Sequence, residues 1–451
     1  MDYYNKMRFT TYILLVLIIF GCSSNENQTM QELEISVINF ETSYNQVKMD
    51  WKIIRPAGVI IEDLLIYRVE KNDESEFYQE KKIANLPSTE TTFVDDDVPY
   101  KREVTYIIKI NYKDERENAP IIFGELQSEP KKFVRAIVKL DRVPFQVQKD
   151  PLQDDVFHIL DKEGTGSLKK YNSTQNQFSS VKTFSDGSLL NNKFHIVNDN
   201  EIYLADTKGK IYRIKTENYE TTATYQTKIT DNLNSFSVSG KRIYYQDEDS
   251  WCFYDSSTNV STKTGYSMTS DYSEYLGQDK FLLLFCQNGN NSADIYSYTP
   301  ENCPGFMSCS PIKYFFLRNP IKPNSYDANI FSWNKTKSKF ISSINGCIFN
   351  INNLNQEIRL FDITGKHYFQ FSFDENDNIY ATVQGEKIIH KFNSKYELVE
   401  VIKTKLYPFF PMVSKTGLKV IGGYEPISYW SFEYGYSFNF NTKCAIEILE
   451  K

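Results

Sequence analysis

A pattern of short strands recurs about every 40 residues through the last two-thirds of the chain. The segments beginning at Ile196 and Phe373 share a polar Asn/Asp turn, an Ile-Tyr strand, a Gly-containing hairpin and a second alternating strand. With weaker copies, the strand starts fall at 157, 202, 242, 280, 339, 378 and 418. Because the repeating unit holds only strands, the pattern confines this part of the chain to an array of small sheets.

The repeat predicts a β-propeller. Residues 139–451 allow about 45 residues for each of seven blades, each a small antiparallel sheet. A barrel or a second sandwich does not explain seven nearly equal intervals. The longest interval contains 299–336, which we interpret as an insertion on one face. The Asn/Asp-Asn-Ile-Tyr element resembles bacterial YVTN- and NHL-type propellers, a likeness that implies the fold and no activity.

Residues 33–138 are predicted to form an immunoglobulin-like sandwich, so the whole chain is predicted to be all-β. Period-two runs are separated by polar or Pro-containing turns, and they lie at 33–40, 47–51, 64–70, 91–94, 104–112 and 131–138. Val47, Met49 and Trp51 point to one face. The segment resembles a fibronectin type III domain, with Trp51 as its second-strand core tryptophan and 92–106 as the approach to its tyrosine corner. That family implies a spacer or binding module, and we interpret the acidic triplet 95–97 as a turn.

The N-terminus predicts export. Lys6 and Arg8 precede an apolar run at 12–20, too short for a transmembrane helix but typical of a signal peptide. Residues 19–22 resemble a bacterial lipobox, which implies a signal peptide over 1–21, a lipid on Cys22 and a linker over 22–32. The alternative is an ordinary signal peptide. The whole resembles a Bacteroidetes-like lipoprotein, anchored through its N-terminal lipid to the envelope, in the outer membrane, with the leaflet open.

Six cysteines remain after Cys22, an even number that permits three disulfides in an exported chain: Cys252, Cys286, Cys303, Cys309, Cys347 and Cys444. A Cys303–Cys309 pair is favoured because it closes a short loop with a Pro-Gly turn. The alternative is that Cys252, Cys286 and Cys347 are free and buried.

Charge and motifs exclude several functions. A net charge of −7 without a dense basic block argues against nucleic acid as a partner. No catalytic motif, phosphate loop or zinc-ligand spacing is present. The four histidines lie in alternating strand patterns, so positions in strands explain them without a catalytic or metal-binding role: His158, His195, His367 and His390. We read 374–378 as a turn between strands, with calcium binding as the alternative. No cofactor and no metal are expected.

Two functions remain open. The favoured one is a non-enzymatic envelope lipoprotein that binds glycan or protein, or acts as a scaffold. The alternative is a propeller enzyme acting on a polysaccharide or peptide, with acidic groups on its central-channel loops. Candidate ligand-binding side chains are Trp251, Trp333 and Trp430, each with core packing as the alternative. The expected ligand face carries the 299–336 insertion.

Overall fold

The structure is a computed structural model that describes the following residues: 32–43, 45–71, 78–116, 120–161, 166–184, 194–206, 208–227, 233, 235–240, 242–247, 250–263, 272–277, 280–286, 292–298, 313–318, 331–342, 346–352, 355–426, 429–432, 435–438 and 442–449. The chain divides into two compact units, Met1–Arg135 and Ala136–Lys451. Nearly all described secondary structure is strand, with one short helix, α1 (Leu360–Thr364). Within these ranges, no helix has the length and apolar character needed to cross a membrane.

The first unit contains two antiparallel sheets. Its strands are β1 (Glu34–Thr42), β2 (Val47–Ile54), β3 (Val59–Lys71), β4 (Tyr78–Leu86), β5 (Thr92–Asp95), β6 (Glu103–Asp114), β7 (Ile122–Gln127) and β8 (Lys131–Val134). One sheet has the order β1-β2-β5, and the other has the order β4-β3-β6-β7, with β8 also pairing with β6. Strands β4 and β7 are not among the runs predicted from the sequence.

The core of the first unit follows the predicted alternation. Val47, Met49 and Trp51 on β2 are buried, and so are Tyr106 and Ile108 on β6. These side chains belong to one apolar cluster that draws on both sheets. Period-two burial of this kind is what a strand with one core-facing side requires.

A network of hydrogen bonds centred on the buried Asp95 side chain contacts this core through Tyr106. The Tyr106 hydroxyl donates to Asp95 Oδ2 at 2.6 Å, and Arg68 Nη1 donates to the same oxygen at 2.9 Å. The backbone N–H of Asp97 donates to Asp95 Oδ1 at 2.9 Å. Asp95 ends β5, and its bond to Asp97 holds the bend that directly follows the strand, which is where the sequence predicted a turn.

The second unit contains seven four-stranded antiparallel sheets, counted over the described residues. It begins with β9 (Val138–Leu140). Sheet I holds β10 (Gln146–Lys149), β11 (Val156–Asp161), β12 (Ser167–Asn172) and β13 (Gln177–Thr183); sheet II holds β14 (His195–Val197), β15 (Glu201–Ala205), β16 (Lys210–Lys215) and β17 (Thr221–Gln226). Sheet III holds β18 (Phe236–Ser239), β19 (Arg242–Asp247), β20 (Ser250–Asp255) and β21 (Val260–Lys263); sheet IV holds β22 (Tyr272–Gly277), β23 (Lys280–Cys286), β24 (Ser292–Tyr298) and β25 (Lys313–Arg318).

The remaining sheets follow the same plan until the last. Sheet V holds β26 (Phe331–Trp333), β27 (Lys339–Ser342), β28 (Cys347–Asn350) and β29 (Gln356–Arg359); sheet VI holds β30 (Tyr368–Phe373), β31 (Ile379–Val383), β32 (Ile388–Phe392) and β33 (Leu398–Lys403). Sheet VII has the order β34 (Tyr407–Ser414), β35 (Gly417–Gly423), β38 (Cys444–Ile448) and then β9. The hairpin β36 (Tyr429–Phe432) and β37 (Gly435–Phe438) lies between β35 and β38 in the chain.

The predicted repeat starts coincide with the second strand of each sheet. Six of the seven fall inside β11, β15, β19, β23, β27 and β35, and position 378 immediately precedes β31. The domain boundary differs slightly from the predicted 138/139. Val138, which we placed in the last strand of the first domain, pairs instead with Ile446 in sheet VII.

Neighbouring sheets pack against each other in chain order. The first strands β14 and β18, β18 and β22, β26 and β30, and β30 and β34 lie side by side. The last sheet also packs on the first, because Met412 and Ile446 of sheet VII share one apolar cluster with Phe157, Ile159 and Tyr171 of sheet I. Sheets VII and I are therefore in direct contact.

A second repeated element lies in the turn between the third and fourth strands. Asn176, Tyr219, Asn259 and Tyr396 occupy these turns in four sheets with φ between 52° and 68°. Asn tolerates this left-handed conformation, whereas a bulky side chain adopts it only when its surroundings hold it. Both tyrosines are held by a neighbouring sheet: the Tyr219 hydroxyl bonds His158, and that of Tyr396 accepts from Lys339 at 2.6 Å.

The cysteines correct the disulfide expectation. Cys252, Cys347 and Cys444 are free and buried, so the three-disulfide framework that the count permits does not form. Burial raises the pKa of the Cys444 thiol far above its ordinary range. The side chains of Cys286, Cys303 and Cys309 lie outside the described residues, and the predicted Cys303–Cys309 pair stays a prediction.

Candidate functional site

The first strands of the sheets surround a cavity of about 650 Å³. Sheets I, II, IV, V, VI and VII all contribute to it, and the lining residues are 146–152, 154, 157, 194–196, 199, 274, 332–335, 337, 370–375, 410–411 and 415. A concave space of this size is typical of sites for small ligands or short chain segments. We call it the first-strand cavity.

The wall of the first-strand cavity combines aromatic side chains, Trp333 among them, with small polar groups. Trp333 is partly exposed and packs on Phe340, with 5.0 Å between ring centroids. Ser332 and Ser372 also line the cavity, and no hydrogen bond to either hydroxyl occurs within the described part of the chain. The oxygen of Gln148 accepts from Gln146 at 3.2 Å, so its amide nitrogen is the group left to donate.

The rim of the cavity is a chain of ion pairs that runs across sheet boundaries. Lys337 of sheet V faces Glu274 of sheet IV at 3.7 Å. Lys335 of sheet V and Lys415 of sheet VII approach the same oxygen, Glu375 Oε1 of sheet VI, at 3.6 and 3.7 Å. All these groups except Glu274 lie on turns between first and second strands, so those turns define the mouth.

Sheet I continues this rim. Asp154 accepts from the backbone N–H of Lys415 and pairs with Lys149. Burial pushes the pKa of Asp154 upward, but these two donors stabilise its ionised form, and the net pKa lies below its ordinary range. Asp154 therefore stays a carboxylate at neutral pH, which does not suit a general acid.

Behind the rim lies a fully buried Asp–His–Tyr network. Asp150 Oδ2 lies 3.0 Å from His158 Nε2, and the Tyr219 hydroxyl lies 2.7 Å from His158 Nδ1. Burial lowers the pKa of His158, although Asp150 opposes that shift. A neutral imidazole satisfies both partners when Nε2–H donates to Asp150 and Nδ1 accepts from Tyr219. His158 is 0% exposed and is not part of the cavity lining, so its imidazole ties sheet I to sheet II and does not face a ligand, whereas Asp150 also lines the cavity.

The turn at 374–378 is organised by its own hydrogen bonds. Asp374 Oδ1 accepts the backbone N–H groups of Asn376 and Asn378 at 2.8 and 2.9 Å. Asn378 Nδ2 donates to the other oxygen at 2.8 Å. The residues that the structure describes contain no group of three or more His, Cys, Asp or Glu placed to hold a metal ion.

The three candidate tryptophans have different positions. Trp251 on β20 is 0% exposed and belongs to the core, so the core-packing alternative describes it and ligand stacking does not. Trp333 lines the first-strand cavity. The side chain of Trp430 lies outside the described residues, as do Cys22 and most of 299–336.

Sequence reasoning missed the rim charges. Glu375 lies in the turn that we read as a separator between strands, and Lys335 lies in the 299–336 segment, whose charges we did not single out; Lys415 was not considered. Their common position, directly after the first strand of a repeat, was the available signal, because repeats arranged around one centre bring equivalent turns together.

The comparisons with known proteins give likenesses of fold. No protein-family model matches the sequence, and none of the curated proteins matches it. The Pan2 WD40 domain of Neurospora crassa is similar at 9% identity and a TM-score of 0.43, covering 68% of this chain and 88% of that one. U3-55K is similar at 10% identity and a TM-score of 0.44, covering 69% and 98%. The RRP9 WD40 repeats are similar at 9% identity and a TM-score of 0.42, covering 69% and 96%.

Proposed function

We propose that the chain is a non-enzymatic, lipid-anchored binding module of a bacterial envelope, and that its ligand sits in the first-strand cavity. The observation that carries the proposal is the composition of this cavity. Its lining contains Trp333, the hydroxyl groups of Ser332 and Ser372 and the amide of Gln148, together with the ion pairs of the rim. An aromatic face with a few placed polar groups is what a selective binding pocket requires.

We infer that the second unit is a seven-bladed propeller. The support is the repeated four-stranded plan, the neighbouring first strands, and the cluster that joins sheet VII to sheet I. Strand β9 adds a further link, because the start of the unit completes its last sheet. A propeller explains why the first strands surround a cavity.

We infer that the first unit is a fibronectin type III-like spacer. Its two sheet orders, β1-β2-β5 and β4-β3-β6-β7, agree with that arrangement. The bond from the Tyr106 hydroxyl to Asp95, 11 residues earlier, agrees with a tyrosine-corner role for this tyrosine.

Catalysis is the less favoured reading because two carboxyl groups of the cavity, Asp150 and Asp154, are held as anions. Burial opposes ionisation of Asp150, but His158 and the N–H of Leu152 stabilise its anion, and its net pKa is lowered. The Asp154 pKa is lowered too. Acid–base catalysis needs a group whose pKa lies near the working pH, whereas these two serve as fixed anions.

The anchor is tested by fractionation. Cys22→Ala should move the mature protein from the membrane fraction to the soluble fraction, because it removes the acyl chains that supply membrane affinity. Membranes washed with high salt separate lipid anchoring from attachment through a partner. Unchanged partition after that wash would contradict lipidation at Cys22.

The binding site is tested with Trp333→Ala. A panel of defined oligosaccharides and peptides is titrated against the wild type, and the strongest binder is measured against the variant by calorimetry. We expect at least a ten-fold loss of affinity, because stacking on an aromatic ring typically contributes about 1–3 kcal/mol. Phe123→Ala is the matched control, since it removes an exposed aromatic ring from the first unit. A ligand whose affinity survives Trp333→Ala would place the site elsewhere.

A further inference from the structure

The fourth strands of sheets I, II, V and VI share an irregularity. Each of these strands is the last of its sheet, and each carries one extra residue opposite the third strand. The pairing register shifts at that residue, which is Ser179, Thr222, Glu357 or Val399. A bulge on an edge strand bends its backbone and so discourages a further strand from pairing with it.

The extra residue is polar in three of these four sheets. The hydroxyl groups of Ser179 and Thr222 each donate to a carbonyl of the third strand, at 3.4 and 3.2 Å. Glu357 accepts from Asn350 Nδ2 at 3.0 Å. Val399 of sheet VI has no group that makes such a bond, and it is 54% exposed. Sheet VI therefore exposes an apolar side chain where the other three sheets hold a polar one.

The exposed apolar surface extends along this fourth strand, β33. Leu398 and Val401 are 39% and 51% exposed. Where the side chains of the other fourth strands are described, each strand exposes at most one large apolar residue, Val181 on β13 and Val260 on β21. Edge strands usually carry polar or charged side chains, because an exposed apolar edge associates with other strands. The three apolar residues together therefore mark β33 as a contact surface.

The backbone of β33 can pair on the side that faces away from β32. Thr404, which directly follows β33, donates its N–H to the carbonyl of Lys387, which directly precedes β32, at 2.9 Å. Backbone groups alternate in direction along a strand, so those of Val401 and Lys403 point away from β32. None of the described strands pairs with β33 on that side. The regular segment after the bulge, 400–403, can therefore accept another strand.

The charges of this segment are complementary to those of a second copy of the chain. It reads Glu400-Val-Ile-Lys403, with an acidic residue at one end, a basic residue at the other and apolar residues between them. Glu400 is 3.7 Å from Lys391 Nζ, a long and exposed ion pair, and Lys403 has no ion pair within the described part of the chain. An antiparallel second copy brings the acidic end of each segment beside the basic end of the other.

We propose that two copies of the chain associate through β33, paired edge to edge and antiparallel about a twofold axis. Val399 and Val401 of both copies form the apolar part of the contact, and Glu400 of each copy lies near Lys403 of the other. The contact is small, so we expect a reversible dimer with a dissociation constant of about 10–100 µM. Residues of β33 do not line the first-strand cavity, so this interface stands apart from the proposed binding function.

Sedimentation equilibrium of the full chain between about 1 and 200 µM tests this pairing. We expect the wild type to form a dimer. Val401→Lys should raise the dissociation constant at least ten-fold, because it places a charge from each copy in the apolar part of the contact. Lys403→Glu should raise it about five-fold, because both ends of the segment then become acidic, whereas Lys403→Arg should leave it unchanged.

The matched control is Val181→Lys, which places the same charge at a valine of similar exposure, 55%, on the fourth strand of sheet I. It should leave the dissociation constant unchanged. All substituted side chains are exposed, so the urea midpoints should stay at the wild-type value; if Val401→Lys unfolds more easily, the two Lys403 variants decide the question.

Four results would overturn the proposal. The first is a wild type that stays monomeric over the whole concentration range. The second is a dimer that neither Val401→Lys nor Lys403→Glu weakens, since that dimer forms elsewhere on the chain. The third is equal weakening by Val181→Lys, which indicates association without a specific edge. The fourth is growth beyond two copies, because twofold pairing uses the β33 edge of both copies and ends there.

Discussion

Asp150→Ala should lower the free energy of unfolding by about 3–5 kcal/mol, because it strips a buried network of its only anion. Asp150 Oδ2 accepts from His158 at 3.0 Å, and Oδ1 accepts the backbone N–H groups of Leu152 and Gln153 at 2.9 Å each. Alanine leaves the buried imidazole without its acceptor and two turn donors without theirs, and each unmade bond costs about 1–3 kcal/mol. Guanidinium unfolding of the full chain, followed by fluorescence, measures the loss.

Two further variants distinguish the stability lost with this network from the stability lost by removing any negative charge. Asp150→Asn keeps an oxygen for the turn donors and a partner for His158, so it should cost clearly less than alanine. Asp154→Ala removes a neighbouring carboxylate from the more exposed rim and should cost about 1 kcal/mol or less. Equal losses at Asp150 and Asp154 would contradict a special role for the buried network.

The same network predicts an acid-sensitive fold. The folded pKa of His158 lies below its ordinary 6.5, and that of Asp150 lies below its ordinary 3.8. In both cases the unfolded chain binds protons more readily, so stability is lost as the pH falls. The histidine contribution begins to disappear below about pH 6.5, and the aspartate contribution follows below about pH 4. The part that comes from His158 should be absent from His158→Phe, whereas His367 and His390, whose pKa values burial also lowers, should still contribute. Acid unfolding of both proteins, followed by fluorescence, measures the difference.

The alternation of apolar and polar residues along short segments explains which parts of this architecture could be predicted. Runs such as Ile202-Tyr203 and Ile379-Tyr380 follow polar turns, and a strand that directly follows such a turn is recognisable without its partners. That is why six of the predicted starts fall inside the second strands of their sheets and the seventh, 378, directly precedes one. Strands β4 and β7 were missed because charged or exposed side chains interrupt their apolar pattern.

Long-range neighbours explain what could not be predicted. Glu375 contacts Lys335 and Lys415 only because three turns from different sheets converge. The local sequence of each turn gives no information about which other turns lie close to it. The buried bond between His158 and Tyr219 has the same origin, since the two residues lie 61 positions apart. Sequence patterns locate the turns, and the arrangement of the sheets decides which turns meet.

The pairing of β9 with β38 is another such contact, and it is a short one. Only three residue pairs hold it, Cys444 with Leu140, Ala445 with Lys139, and Ile446 with Val138. Leu140 is nevertheless buried in the cluster that joins sheet VII to sheet I. A small strand thus contributes both to the last sheet and to the contact that closes the series.

Truncation on either side of β9 tests this closure. A chain of residues 136–451 should unfold cooperatively with nearly the stability of the second unit in the full protein, because it retains every strand of sheet VII. A chain of residues 142–451 should lose about 3–6 kcal/mol, since it exposes the β38 edge and empties the Leu140 site. In the full chain, Leu140→Ala should cost about 2–4 kcal/mol, which isolates the packing part of that loss. Equal urea midpoints for the two truncated chains would show that β9 does not stabilise the contact between sheets VII and I. Failure of the 136–451 chain to fold would show that the second unit needs the first unit for its stability.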